Sequence, residues 1–346
     1  MPALRLARFR VDPFMLSLLG TVAVATLLPA RGAVATGAGH VTTVAIGILF
    51  FLYGARLSPR AALDGARHWR LHGTVFLATY VLFPLLGLAV QLLPATVLPR
   101  DLAVGVLFLC CLPSTVQSSI AFTSIARGNV PAAICSASFS SLAGIVLTPL
   151  LVGLLVVAGG GITGDALLDI ALQLLAPFLL GQLTRPVIGE WITRHKFVLG
   201  LVDRGSILLV VYVAFSEGVV AGIWHQISPA SLGVLALVDA AVLAVALAVT
   251  AVAGRLLGFS REDRITILFC GSKKSLAAGL PMAGVLFAAQ GVGLIVVPLM
   301  LFHQIQLMVC AWLAQRFGRQ ADAGSLSSSH ARSSGRHDPE ARREAA

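Results

Sequence analysis

Apolar runs of about 20 residues recur along almost the whole chain, and no other feature limits its fold so strongly. A helix rises about 1.5 Å per residue, so a run of that length crosses the hydrocarbon core of a bilayer. The runs show no alternation of polar and apolar residues, which argues against a transmembrane barrel. In lipid every backbone polar group must be satisfied within the chain, which leaves helices. Ten spans are expected, at 14–30, 41–57, 73–93, 102–126, 131–157, 166–189, 205–223, 230–254, 265–288 and 292–315. The fold class is therefore an all-α membrane protein with ten transmembrane helices. The first run follows a basic N-terminus, but Arg31-Gly32 stands where a signal peptide would place a small-residue cleavage site, so it is read as a spanning helix.

Charge sets the orientation. Only 12% of the residues are charged and 57% are hydrophobic, whereas soluble domains carry about 25% charge. With the N-terminus inside, the inner segments hold Arg5, Arg8 and Arg10; Arg56, Arg60, Arg67 and Arg70; Arg127; Arg185, Arg194, Lys196 and Arg204; Arg255, Arg261 and Arg264; and the arginines from Arg316 onward. The outer segments hold Arg31 and Arg100 alone. Such asymmetry places both termini in the cytoplasm, in a cell inner (plasma) membrane. The net charge of +10 is spread over short loops, so nucleic acid is not an expected partner; the lipid bilayer is. Cys110, Cys111, Cys135, Cys270 and Cys310 all fall inside spans, with neither disulfide nor metal-site spacing. Residues 1–315 form the membrane domain. The segment 316–346, rich in Ser, Arg and Ala, is expected to be a disordered cytoplasmic tail.

Ten spans divide into five and five, about 14–157 and 166–315. An odd number per half puts the halves in opposite orientations, as in inverted-repeat transporters. The fourth span of the first half reads Leu107-Phe-Leu-Cys-Cys-Leu-Pro-Ser-Thr-Val-Gln-Ser-Ser119, and that of the second reads Leu268-Phe-Cys-Gly-Ser-Lys-Lys-Ser275. Each runs from apolar residues through cysteine into a polar stretch at mid-membrane. Interrupted helices at matching positions point to a binding site.

The residues at these two breaks carry the candidate chemistry. Pro113 removes an amide hydrogen, and Ser114, Thr115, Gln117, Ser118 and Ser119 follow it. Freed backbone groups there can face a cavity, and the positive end of the second half-helix attracts an anion. The alternative is a plain proline kink whose hydroxyls bond their own helix. In the ninth span Ser272, Lys273, Lys274 and Ser275 stand together. A lysine at the bilayer centre costs about 2.5–3.5 kcal/mol on insertion scales, so one of the pair is expected to line the site. The other is expected to reach backbone carbonyls or Glu217; the competing account has both lysines snorkelling to an interface. Glu217 and Asp239 are candidates for pairing or proton relay, and His303 and Gln304, with Gln306, form a polar cluster in the tenth span that suits interhelical bonding equally well. Ser136, Ser138, Ser140 and Ser141 read as small packing residues. No catalytic or nucleotide-binding motif appears, so neither an enzyme nor an ATP-driven pump is expected.

Cys110-Cys111-Leu-Pro-Ser114, the loop Ala126-Arg-Gly-Asn129 and Cys270-Gly-Ser-Lys-Lys-Ser-Leu276 together resemble the bile acid:sodium symporter family, over residues 10–316. The similarity is to the branch that includes its vertebrate seventh member. The resemblance implies a panel domain and a core domain, with the fourth and ninth helices unwound and crossing in the core near the substrate. It also implies sodium ligands, and there this chain departs. The sodium-coupled members place a Glu and a Gln-Asn pair on the ninth helix, where this chain has Cys270, Ser272 and Lys273-Lys274. Their Ser and Thr after the loop Asn become Ala133 and Ala137, and their Gln before the third-helix proline becomes Thr79 before Pro84. A hard cation needs such oxygens; a lysine ammonium could take its place.

The sequence therefore leads to a secondary transporter of a small organic anion, working by alternating access, with no cofactor or bound metal. Sodium or a proton is the possible coupling ion. The rival class is a non-transporting membrane regulator, since the branch is linked by resemblance to calcium homeostasis.

Overall fold

The computed structural model describes residues 13–56, 68–156, 164–220, 222, 228–287 and 292–334. The basic segments 1–12 and 57–67 and the tail end 335–346 lie outside the described residues. All regular structure among them is helical: α1 (Pro13–Leu27), α2 (Gly32–Arg56), α3 (Trp69–Gln91), α4 (Arg100–Cys111), α5 (Val116–Ile125), α6 (Val130–Leu155), α7 (Gly164–Arg194), α8 (Lys196–Val220), α9 (Pro229–Leu256), α10 (Arg261–Gly271), α11 (Leu276–Leu286) and α12 (Val292–Ser334). Six of these are long and apolar enough to cross a membrane. The pair α4 and α5, bent by 66° at its break, is apolar and long enough only when taken together. The protein is a multi-pass membrane protein.

The helices sort into two groups by contact. In one, α2 packs along α7, α1 along α8, and α2 along α8. In the other, α3–α6 and α9–α12 pack among themselves, with α4 on α12, α5 on α10 and α9 on both α10 and α12. Contacts of α7 with α6 and α11, and of α8 with α11 and α12, join the groups. Glycine permits the closest approach in the first group. A Cβ on Gly54 would collide with the Phe178 carbonyl, and one on Gly181 with the Phe51 carbonyl. Small residues that let backbones touch are what helix pairs in lipid use, where the hydrophobic effect between helices is lost.

Both interruptions expected from sequence are present. Leu112–Thr115 separates α4 from α5, and Ser272–Ser275 separates α10 from α11. A third irregularity was not anticipated. α3 contains a π-helical turn at Ala78–Leu82, followed by Phe83 and Pro84.

One boundary is corrected. The tail placed from Arg316 onward is helical as far as Ser334, as a continuation of α12. Its beginning is held by packing: the Arg261 guanidinium donates to the Phe317 carbonyl at 2.9 Å, and Gly318 lies against the Ile125 carbonyl. Hydropathy alone stops the span too early, because Phe317 and Gly318 face protein instead of lipid.

Candidate functional site at the crossing of two broken helices

A helix that stops inside the membrane leaves its last carbonyls without amide partners, and each must be satisfied within the protein. At the end of α4 four consecutive carbonyls, Cys110 to Pro113, have donors from outside the helix. Cys111 O accepts from Thr148 Oγ1 at 2.9 Å, and Pro113 O accepts from the Ser275 amide at 2.9 Å. Cys110 O and Leu112 O accept from Lys274 Nζ at 2.8 and 2.7 Å. Ser114, whose amide would have closed the turn onto Cys110 O, donates instead to Ser140 Oγ at 3.0 Å.

α10 ends in the mirror arrangement, capped by the polar run behind Pro113. Ser114 Oγ donates to Cys270 O at 2.6 Å, Ser119 Oγ to Phe269 O at 3.2 Å, and Thr115 Oγ1 to Lys274 O at 2.8 Å. Ser272 Oγ turns back to Leu268 O, and Ser275 Oγ caps α11 by accepting from the Ala278 amide. Gln306, from α12, closes the break from the side: its Oε1 accepts from the Lys274 amide at 2.9 Å and its Nε2 donates to the Lys274 carbonyl at 2.8 Å. The two broken helices therefore cap each other.

The adjacent lysines diverge. Lys274 has a third acceptor, Thr79 O at 2.8 Å, so its three ammonium hydrogens meet three carbonyls from two helices. Thr79 O is available because of the π turn. The Phe83 amide donates to Ala78 O, and the next candidate donor, Pro84, has no amide hydrogen. The ring of Phe83 lies 4.2 Å from the ammonium and the C-terminal dipole of α4 points at it, both favourable to a cation. Lys273 turns the other way, to Ser118 Oγ at 3.3 Å, with the Phe122 and Phe269 rings 4.5 and 5.7 Å off.

Of the partners expected for the second lysine, backbone carbonyls or Glu217, the carbonyls are the ones Lys274 meets. Both side chains are 0% exposed, so neither lines an open cavity and neither snorkels to an interface. Glu217 is not the second partner: it sits exposed on α8, and the carbonyls take the charge instead. Ser114, Ser119, Ser272 and Ser275 are buried and engaged in the crossing, and Thr115 is half-buried there. Ser118 is half-buried and accepts from Lys273, which leaves Gln117 as the exposed member of the set. His303 Nδ1 contacts Gln306 Nε2 at 2.8 Å and so stands one residue removed from the break, with the half-buried Gln304 beside it on α12. Asp239 of α9 is fully buried, with no hydrogen-bond partner for either oxygen among the described residues.

The loop motif after α5 has a structural account. Arg127 takes φ of 60°, the left-handed turn that ends α5. A Cβ on Gly128 would meet Ile265 Cγ2 at 2.6 Å, and Asn129 caps α6 while donating to Asp263 Oδ1 at 2.8 Å. The motif ties the outer end of one broken helix to the start of the other.

Gln117 faces a cleft of about 690 Å³ between the two helix groups, lined by Ala55 and Arg56 of α2, Arg185, Gly189, Glu190 and Ile192 of α7, and Gly200 and Asp203 of α8. Arg56 is ion-paired with Asp203 across α2 and α8. Glu190 and Arg194 form a looser, exposed pair at 3.7 Å. Sequence reasoning had placed both Arg56 and Arg185 among the loop charges; hydropathy marks the ends of spans but not the surfaces they face. Gln306, a member of the polar cluster in the tenth span, is the residue of that cluster that reaches the break.

Comparison with known proteins agrees with this architecture. The sequence profile of the SBF-like CPA transporter family matches residues 12–319. "Uncharacterized protein PA2026" of Pseudomonas aeruginosa is 58% identical over 317 residues, 91% of this chain and 95% of that protein. "Putative symporter YfeH" of Escherichia coli is 53% identical over the same length and shares. "Sodium/bile acid cotransporter 7" of Xenopus tropicalis is 28% identical over 316 residues, 88% of this chain and 91% of that protein. With broken helices crossing beside a cleft and a family match over nearly its whole length, the chain belongs to the SBF-like CPA transporter family, a membrane transporter of the bile acid:sodium symporter kind.

Proposed function

We propose that the protein is a secondary transporter of a small organic anion that works by alternating access in the cell inner membrane, with both termini cytoplasmic. The observation that carries this reading is the cleft. It lies between the two helix groups, contains the guanidiniums of Arg56 and Arg185, and reaches Gln117 in the first turn of α5. Asp203 already neutralises Arg56, which among the described residues leaves Arg185 as the cation of the cleft offered to a ligand. The N-cap of α5, Thr115, makes no side-chain cap, so the positive end of that helix adds to the attraction. A rocking of one group against the other would expose this surface alternately to each side.

The order of elements supports ten spans in two inverted repeats. Each half runs through three helices, a broken pair and a closing helix: α1, α2, α3, α4 with α5, α6; then α7, α8, α9, α10 with α11, α12. Sodium has no evident role at the crossing. Ala133 and Ala137 are buried without side-chain oxygens, and the ammonium of Lys274 occupies the point where carbonyls of α3 and the α4 break converge.

The test is uptake into proteoliposomes of benzoate, taurocholate and glycerol 3-phosphate, which present a carboxylate, a sulfonate and a phosphate. At least one should accumulate, and Arg185→Gln should abolish that accumulation without lowering the melting temperature. Failure of all three in a folded protein would favour the non-transporting regulator.

A further inference from the structure

We propose that Asp239 is the proton-binding site of the transport cycle, a carboxyl group that is loaded and unloaded as the two helix groups move. The inference rests on the transport reading above and supplies its coupling ion. Asp239 is 0% exposed, and neither of its oxygens has a hydrogen-bond partner among the described residues. It lies roughly 15 Å along α9 from Pro229 at the helical rise, well inside the bilayer. An ionised carboxylate without partners is among the most expensive groups to place in an apolar interior, and an ionisable residue at that depth is ordinarily functional.

What surrounds it selects the ion. On its own helix face the buried neighbours are Leu235, Val242, Leu243 and Ala246. A hard metal cation needs several oxygens, and these residues supply none from their side chains. A proton needs only the carboxyl group. Of the elements packed against α9, α3 carries Arg70, His72 and Tyr80, α10 carries Arg261, Glu262, Asp263 and Arg264 at its start and Cys270 at its end, and α12 carries His303 and Cys310 within the span and Arg316, Arg319, Asp322, His330 and Arg332 beyond it. The group within electrostatic reach of Asp239 is Cys110 of α4, which also lies within reach of Lys274. Cys110 bridges the two in another sense, since its carbonyl is one of the three that hold the Lys274 ammonium.

That placement links the carboxyl group to the crossing. In the state described, the ammonium is saturated by carbonyls and Asp239 is left to a proton. A movement of α4 that drew the Cys110 and Leu112 carbonyls from Lys274 would free the ammonium to stabilise an ionised Asp239. The reaction is a simple dissociation: the carboxylic acid releases H⁺ to the open side, keeps the O–H electron pair as carboxylate, and is reprotonated from the other side. One proton would cross with each anion.

Two measurements on the full-length protein in nanodiscs and proteoliposomes test this. The infrared spectrum should contain the C=O stretch of a buried carboxylic acid at neutral pH, and that band should be missing from Asp239→Asn. Coincident spectra would overturn the proposal. In the uptake assay with benzoate, taurocholate and glycerol 3-phosphate, Asp239→Asn should retain counterflow exchange but lose accumulation driven by a pH gradient, falling to the level of empty liposomes. Accumulation with the wild-type pH profile would also overturn it. Asp239→Glu, which keeps the ionisable group, should restore the band and the pH dependence if the asparagine variant folds poorly. If none of the three anions moves in the wild type, the transport reading fails, and the infrared band still decides whether Asp239 holds a proton.

Discussion

Lys274 was visible in the sequence because a charge in an apolar run has few cheap explanations, and backbone carbonyls were among its expected partners; which carbonyls was not legible, because no side-chain pattern marks them. Thr79 O became an acceptor only through the π turn and Pro84, a local irregularity that no side-chain pattern announces. This makes the two lysines unequal. Removing the Lys274 ammonium leaves three buried carbonyls without donors, at about 1–3 kcal/mol each. Removing that of Lys273 costs one long contact to Ser118 and two ring contacts, and it also relieves the burial of a charge. Lys274→Met should therefore lower folding yield and melting temperature in detergent at every pH, and Lys273→Met should lower them far less. The reverse order would mean that the crossing is held by something other than the carbonyl triad. Arg56 and Arg185 teach the complementary lesson. As residues they were plain to see, but whether a cation at the end of an apolar run faces water, lipid or a cleft is decided by the partner helix.

At the scale of elements, the two breaks were legible because proline, glycine, serine and lysine interrupt apolar runs at matching places. Their mutual capping was not, since it depends on how the two helices cross. The π turn of α3 belongs to this unit, and it offers a test by combination. Pro84→Ala restores an amide hydrogen that can donate to Thr79 O or Tyr80 O, giving α3 an internal partner in place of Lys274. The stability lost in the Pro84→Ala, Lys274→Met double variant should then be smaller than the sum of the two single losses, the mark of residues sharing one interaction. Strict additivity would show that Thr79 O gains nothing from the restored amide. A second element-scale prediction concerns α2 and α7. Gly54→Val places side-chain atoms against the Phe178 carbonyl, where backbone already touches backbone. It should split this helix pair, deform the wall that carries Arg56 and Arg185, and abolish anion stabilisation in a thermal-shift assay while the crossing remains folded. Unchanged stabilisation would show that the cleft does not depend on that contact.

For the whole molecule, hydropathy and charge yielded the membrane class, the helical composition and the orientation argument, because they depend on sums over many residues. The grouping of helices into two packed sets needed tertiary contacts, and so did the continuation of α12 past Arg316. On the transport reading proposed above, the triad of carbonyls at Lys274 bears on the coupling cation. A sodium ion at a helix crossing does two things: it satisfies carbonyls that have lost their amides, and it makes the assembled state depend on its own concentration. Lys274 does the first with a cation that is covalently attached. The second then disappears, since an ammonium on the chain is present at every salt composition and its binding adds no term in ion concentration. Thermal stability, anion binding and uptake should therefore be equal in sodium, potassium and choline chloride at matched ionic strength. The matching is necessary because Arg185 makes anion capture sensitive to screening. Lys274→Ala frees the volume of the ammonium and leaves the same three carbonyls facing it, so if any folded fraction is recovered, it should be stabilised by sodium where the parent is not. A steep sodium dependence in the unmodified protein would overturn this account and require oxygen ligands elsewhere, with the hydroxyls of Ser136 and Ser140 as the first to be substituted.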